Sequence, residues 1–296
     1  MKYRRLLGAI ILRRDACADS ETQALCAQML RVNPDVQTVW NMRREGLKEG
    51  WSAEEELSLS TEGIRRNPKS YGAWHHRVWV LANSDAVDLA HELELCAQLL
   101  RQDARNFHCW NYRRHVAGLL GEGQAAAELA FATARIQENF SNYSAFHHRS
   151  VYIRGLGPAS EVAAAELALT ESAVYTEPDD QSAWWYRRFV YGWCEEERAV
   201  EAGPQVWLSE LYQIQWRSLR ALLELEPESR WTLQELVFLC DKLSREGGAA
   251  DGEPASFEEL REQYLDRLIA LDPMHRQRYL YLQRNCNGSS FTHQPQ

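Results

Sequence analysis

The chain has 296 residues, 45% hydrophobic and 25% charged, which is too apolar for a disordered chain and enough to bury one extended core or two compact ones. A formal charge of −9 excludes a general polyanion binder, because non-specific nucleic-acid affinity rests on clustered Lys and Arg; a local basic site on an acidic body stays open. The seven cysteines (Cys17, Cys26, Cys96, Cys109, Cys194, Cys240, Cys286) are odd in number and form no C-x-x-C pair, which suits free thiols in a reducing compartment.

The opening MKYRRLLGAIILRR has only a short apolar core between arginines and reads as a first helix, not a signal peptide. No later apolar run approaches the roughly 20 residues that span a bilayer, so no stable membrane insertion is expected. From residue 33 the sequence repeats itself. NPDVQTVWNMRR (33–44), NPKSYGAWHHRV (67–78), DARNFHCWNYRR (103–114), NFSNYSAFHHRS (139–150) and EPDDQSAWWYRR (177–188) align without gaps. They place an aromatic at Trp40, Trp74, Trp110, Phe146 and Trp184, at spacings of 34, 36, 36 and 38 residues. Three positions after each aromatic stands an arginine: Arg43, Arg77, Arg113, Arg149 and Arg187.

Each unit reads as two helices. The stretch before each motif has helical apolar spacing, as in Leu25, Met29 and Val32 or Leu89, Leu93, Cys96 and Leu100, and ends at Asn, Asp or Glu, often before Pro. Ser70, Asn106, Asn142 and Asp180 are candidate N-caps of the second helix, which carries Trp74, Val78 and Leu81 on one face. Two degenerate copies follow: EPESRWTLQELV (226–237), around Pro227 and Trp231, and DPMHRQRYLYLQ (272–283), around Pro273 and Tyr279. SREGGAADGEPAS is a loop by composition, and the tail 284–296 is expected to be disordered. No segment alternates with period two between hairpin turns. The expectation is an all-α chain in which residues 1–283 form one helical-repeat domain of about seven hairpins.

A single helical hairpin cannot bury its apolar stripe, whereas stacked hairpins build a continuous core with one aromatic wedge per unit. Each motif arginine lies one turn beyond its aromatic on nearly the same face, and is expected to bond loop carbonyls or carboxylates of the next unit rather than phosphate. His75-His76 and His147-His148 invite a metal reading. Adjacent helical residues point about 100° apart, however, and converging ligands need i, i+3 or i, i+4 spacing. One histidine of each pair is expected to pack between repeats and the other to face outward, with no metal in this chain. The triplets at Asn139, Asn142 and Asn287 are chance matches to a glycosylation site if the chain is cytoplasmic.

The string N-P-K-S-Y-x-x-W-H-H-R and its relatives resemble the repeat of protein prenyltransferase α subunits, across residues 31 to about 190 and more weakly to 283. NPKSYGAWHHR, RNFHCWNYRR, NFSNYSAFHHRS and DDQSAWWYRR, with LELEPESRW and LIALDPMHRQRYL, resemble the Rab geranylgeranyltransferase branch of that family. The long insertion between the fifth and sixth repeats and the leucine-rich tail of animal members are missing. So is the histidine after Met that some members place near the partner's zinc.

The resemblance implies a crescent-shaped α/α superhelix wrapped around a β subunit that holds the zinc, the lipid pocket and most catalytic groups. It implies transfer of geranylgeranyl from its diphosphate to C-terminal cysteines of Rab GTPases delivered by a Rab escort protein, with this chain inactive alone. Lys69 matches the family's lysine that reaches the partner's active site and contacts the diphosphate. His108 and Tyr71 match positions near the diphosphate or the peptide; for Tyr71, core packing is an equal alternative, since Phe107 and Tyr143 hold its slot. Arg105 takes the slot of Lys69 one repeat later and is a candidate interface cation. Two other functions stay open: a non-catalytic helical-repeat adaptor, and the α subunit of a CaaX farnesyl- or geranylgeranyltransferase.

Overall fold

A computed structural model describes residues 2–47, 51–154, 156–200, 206–246 and 255–285 of the chain. Among these residues there are fifteen α-helices and no strand. The chain divides into two compact units, residues 1–131 and 132–296, with the division inside one helix. The first unit holds α1 (Lys2–Leu12), α2 (Ser20–Val32), α3 (Gln37–Gly46), α4 (Ala53–Arg66), α5 (Tyr71–Asn83), α6 (Leu89–Gln102), α7 (Phe107–Leu120) and the start of α8 (Ala125–Glu138). The second holds α9 (Tyr143–Tyr152), α10 (Ala159–Thr176), α11 (Gln181–Val200), α12 (Val206–Leu225), α13 (Arg230–Arg245), α14 (Phe257–Leu271) and α15 (Arg276–Arg284). Within each unit a helix packs on its hairpin partner and on the equivalent helix of the next hairpin, as α5 does on α4, α3 and α7.

The turn inside each hairpin is built by the motif's first residues. Asn67 ends α4 by donating its backbone N–H to Gly63 O, and Asn33 and Asp103 do the same to Met29 O and Leu99 O. Their side chains then accept the N–H two residues on: Asn33 from Asp35, Asn67 from Lys69, Asp103 from Arg105. A proline after Asn33 or Asn67 denies the helix another donor. Ser70, Asn106 and Asn142 cap α5, α7 and α9, and Asp180 accepts the Ser182 N–H at the start of α11.

The motif tryptophan closes this turn from beneath. Trp40, Trp74, Trp110 and Trp184 each donate their indole N–H to the carbonyl of the second turn residue, at 2.7 to 2.9 Å. The same carbonyls receive the next repeat, since Ser70 Oγ donates to Pro34 O and Asn106 Nδ2 to Pro68 O. Gly72 fits here because a Cβ at that position would stand 2.5 Å from Trp40 Cδ1.

The motif arginines join hairpins. Arg43 pairs with Glu56, Arg77 with Glu92, Arg113 with Glu128 and Arg149 with Glu166, each through two nitrogens on two oxygens at 2.5 to 2.9 Å. Every one of these carboxylates lies on the first helix of the following hairpin. The remaining guanidinium nitrogen turns back to the arginine's own hairpin, donating to Gln23 O, Leu57 O and Leu93 O in the first three repeats. The next hairpin's second helix then reaches the same carboxylate: His76 to Glu56, Tyr112 to Glu92 and Tyr186 to Glu166, at 2.6 to 2.9 Å. Arg187 varies the theme, taking Glu235 from α13 and Gln215 from α12.

Some positions differ from the sequence reading. The buried face of α2 centres on Thr22, Cys26, Met29 and Leu30, while Val32 is exposed. In the sixth copy Leu233, fully buried seven residues after the turn begins, fills the wedge position, and Trp231 lies outside it. The expected tail begins too early, since Arg284 is the last residue of α15; residues 286–296 lie outside the described residues, as do 247–254 of the expected loop. The cysteines Cys17, Cys26, Cys96, Cys109, Cys194 and Cys240 are free, and burial pushes the Cys26 thiol up to about 11 and Cys194 and Cys240 to about 12.

Removing one member of a buried, hydrogen-bonded ion pair leaves an uncompensated charge and costs about 3–5 kcal/mol, whereas replacing both with apolar residues costs far less. Glu92→Leu should therefore lower the urea unfolding midpoint strongly, and the double variant Arg77→Met/Glu92→Leu should recover most of that loss.

His76 supplies a pH dependence with a definite sign. Burial pushes its imidazole below the ordinary value, with the nearby Arg44 and Arg43 charges adding, against the pull of Glu56. Its Nδ1 is buried without a hydrogen-bond partner, so a second proton has no acceptor. The unfolded chain then binds a proton that the folded chain resists, and stability falls as pH drops below about 6.5. His76→Tyr, which installs the residue found at the same position of α7 and α11, should flatten the difference in urea midpoint between pH 7.5 and 5.5.

Candidate functional site

The loop ends of the first unit carry the side chains that the repeat architecture does not consume. Lys69 is the third residue of the turn between α4 and α5, with its backbone N–H fixed on Asn67 Oδ1. Its side chain is 66% exposed, and its ammonium faces the Asp103 carboxylate at 3.7 Å. An exposed pair at that distance is worth little and yields readily to a stronger anion. Lys69 also lines an open groove of about 370 Å³ with Asp35, Gln37, Asn67, Tyr71 and Gly72.

Tyr71 projects outward, 70% exposed, so it is not a core residue, although its ring packs on the neighbouring repeat. Its ring meets His108 edge-on at 4.3 Å between centroids and Phe107 at 6.2 Å. His108 is buried beneath these rings, 8% exposed, and its Nε2 has no hydrogen-bond partner. Burial, assisted by the Lys69 charge, holds its imidazole below the ordinary pKa. At neutral pH it is therefore an uncharged donor and acceptor. Arg105 is exposed two residues beyond Asp103, whose Oδ1 accepts its backbone N–H. Lys69, Tyr71, Arg105 and His108, separate in sequence, thus gather around the Asp103 turn.

The charges decide what this surface can do. Lys69 and Arg105 supply two cations, and Asp35 and Asp103 answer with two anions, so the cluster carries little net field for a polyanion by itself. Lys69 can act as a point charge on a phosphate oxygen only where further cations come from elsewhere. The histidine pairs do not supply a metal site. His76 Nε2 is held by Glu56, with its ring between Trp40 and Trp79, while His75 is exposed; His148 is buried and His147 exposed. A second hollow of about 180 Å³ in the other unit is lined by rings, including Tyr143, Phe146, Trp185 and Phe189, and by no Lys or Arg.

Asp103 and the carboxylates Glu56, Glu92, Glu128 and Glu166 escape a reading of the motif alone. The glutamates recur at spacings of 36, 36 and 38 residues, the motif's own period, which is the signal that could have found them. Asp103 stands where Asn67 stands one repeat earlier, and its proximity to Lys69 appears only when the repeats are stacked.

Comparison with known proteins places these features. The family "Protein prenyltransferase alpha subunit repeat" matches residues 53–84, 89–120, 125–156 and 163–194, the hairpins α4/α5 through α10/α11. The geranylgeranyl transferase type-2 subunit alpha of Mus musculus is 41% identical over 214 residues, covering 65% of this chain and 38% of that protein. The Homo sapiens protein of the same name is 40% identical over 219 residues, covering 67% and 38%, and that of Schizosaccharomyces pombe 32% over 137 residues, covering 44% and 38%. The matched part thus spans well under half the length of these relatives. A chain of the Candida albicans protein geranylgeranyltransferase-I complexed with GGPP superimposes with a TM-score of 0.76 at 18% identity, covering 97% of this chain and 91% of that one, a likeness of fold. The chain thus carries four protein prenyltransferase alpha subunit repeats, in hairpins whose wedges and ion pairs recur, and over the matched part it is similar to the type-2 geranylgeranyl transferase α subunits.

Proposed function

We propose that the chain is the α subunit of a heterodimeric protein geranylgeranyltransferase of the Rab type, inactive without a β subunit and cytoplasmic. In this reading it transfers geranylgeranyl from its diphosphate to C-terminal cysteines of Rab GTPases presented by an escort protein. The observation that carries the reading is Lys69. In a chain that buries its motif arginines in ion pairs, this lysine, in the family's matching slot, is held at the backbone and exposed at the ammonium.

In the proposed reaction a thiolate of the substrate attacks the first carbon of the isoprenoid while diphosphate departs. Zinc, held by the β subunit, would stabilise the thiolate when bound. Lys69 exchanges the weak Asp103 pair for a diphosphate oxygen and neutralises charge that grows as the bond breaks. Tyr71 and the neutral His108 form the adjoining wall and can hydrogen-bond the diphosphate or the peptide, and Arg105 adds a cation at the edge. The adaptor alternative predicts a complex without transfer, and the CaaX alternative predicts transfer to CaaX peptides in preference to Rab proteins.

Co-expression with a type-2 β subunit, followed by transfer of labelled geranylgeranyl to an escorted Rab protein, tests the reading. Lys69→Ala should lower the rate by about 10² to 10³ without loss of the complex, the range expected on removing one charge-stabilising donor from a dry site. Unchanged transfer by this variant would overturn the role given to Lys69, and absence of transfer by the unmodified pair would overturn the function.

A further inference from the structure

The copies of the turn agree on what their first residue must do and differ in its charge. Asn33, Asn67 and Asn139 each accept the backbone N–H two residues on, at 2.9 to 3.1 Å, through a neutral amide oxygen. Asp103 does the same for Arg105 at 3.2 Å, and its own N–H closes α6 on Leu99 O as those of Asn33 and Asn67 close their helices. An amide therefore suffices for the turn. A carboxylate is the poorer choice, because Asp103 caps the C-terminus of α6, where the helix dipole disfavours an anion.

What the charge serves is shown by the group its second oxygen faces. Glu177 and Asp272, acids at the same place in later copies, each accept from a hydroxyl of the protein, Ser141 Oγ and Tyr279 OH. Asp103 Oδ2 instead faces the Lys69 ammonium of the preceding repeat at 3.7 Å. That distance is too long for a hydrogen bond, and the two side chains are 66% and 38% exposed, so the pair is weak. The carboxylate is thus a fixed, low-affinity competitor that any phosphate oxygen must displace from Lys69.

We propose that Asp103 is a positioning residue for the transfer reaction that acts through Lys69, taking the ammonium back as diphosphate leaves. The proposal rests on the reading of Lys69 as a diphosphate contact. Two anions compete for one point charge, so the worth of the Lys69–Asp103 pair is subtracted from the affinity for every diphosphate, substrate and product alike. The lysine then neutralises departing charge without retaining the product.

Calorimetric titration of the heterodimer with the type-2 β subunit by inorganic diphosphate tests it. Asp103→Asn keeps the amide acceptor found at Asn33, Asn67 and Asn139 and removes the competing charge. It should tighten diphosphate by about two- to fivefold, the worth of an exposed ion pair, and lower the KM for geranylgeranyl diphosphate by a similar factor; a merely structural role would weaken binding instead. In the Lys69→Ala background the same change should leave diphosphate affinity as it was. Unchanged or weaker binding in Asp103→Asn, or an equal gain in the Lys69→Ala background, would overturn the proposal, the latter by showing charge repulsion without competition. Equal diphosphate affinity of the unmodified and Lys69→Ala heterodimers would overturn the reading of Lys69, and the proposal with it.

Discussion

The structure depends on a guanidinium that cannot be buried alone. Arg77 lies at 2% exposure between hairpins, where an unpaired charge would be costly, and Glu92 of the following hairpin answers it through two oxygens at 2.6 and 2.7 Å. Because the carboxylate belongs to the next hairpin and the other donors return to the arginine's own hairpin, the pair fixes which helix faces which and at what register. A third member, His76, Tyr112 or Tyr186, takes the carboxylate's remaining capacity, so each repeat is tied to the one before by the same buried group. Where the pattern changes, the chemistry is conserved: α12 offers Gln215 to Arg187, and the charge comes from Glu235.

That rigidity sets what the loop ends can do. The turn holding Lys69 is closed by Asn67, by the Trp74 indole on Pro68 O and by Asn106 of the next repeat on the same oxygen. Its backbone is therefore over-determined, while among the described residues its side chain makes one weak ion pair. Tyr71 and His108 differ in the same useful way, one projecting as a wall and the other buried beneath it with an unsatisfied nitrogen. A near-balanced set of charges there fits a surface completed by another chain rather than one that captures an anion unaided.

Much of this was legible in the sequence because the repeat is written in gapless copies. The wedges, the caps Ser70, Asn106 and Asn142, the outward and inward histidines and the structural role of the arginines all follow from helical spacing and from the chemistry of turns. Their partners were not. A glutamate 13 to 17 residues beyond its arginine sits on a different helix, and only stacking brings the two together. In the sixth copy, which keeps the turn without the Trp-x-x-Arg signature, the wedge position seven residues from the start of the turn falls to Leu233. The groove at Lys69 is likewise a product of two repeats side by side: the sequence points to Lys69 and Tyr71 but not to Asp35 and Gln37, which the preceding repeat supplies.

The central claim is that this scaffold presents Lys69 to a second, different subunit. Native mass spectrometry of the chain co-expressed with a type-2 geranylgeranyltransferase β subunit tests it most directly. The account predicts a one-to-one heterodimer as the dominant species; a chain that stays monomeric or pairs only with itself in the presence of that subunit would contradict it.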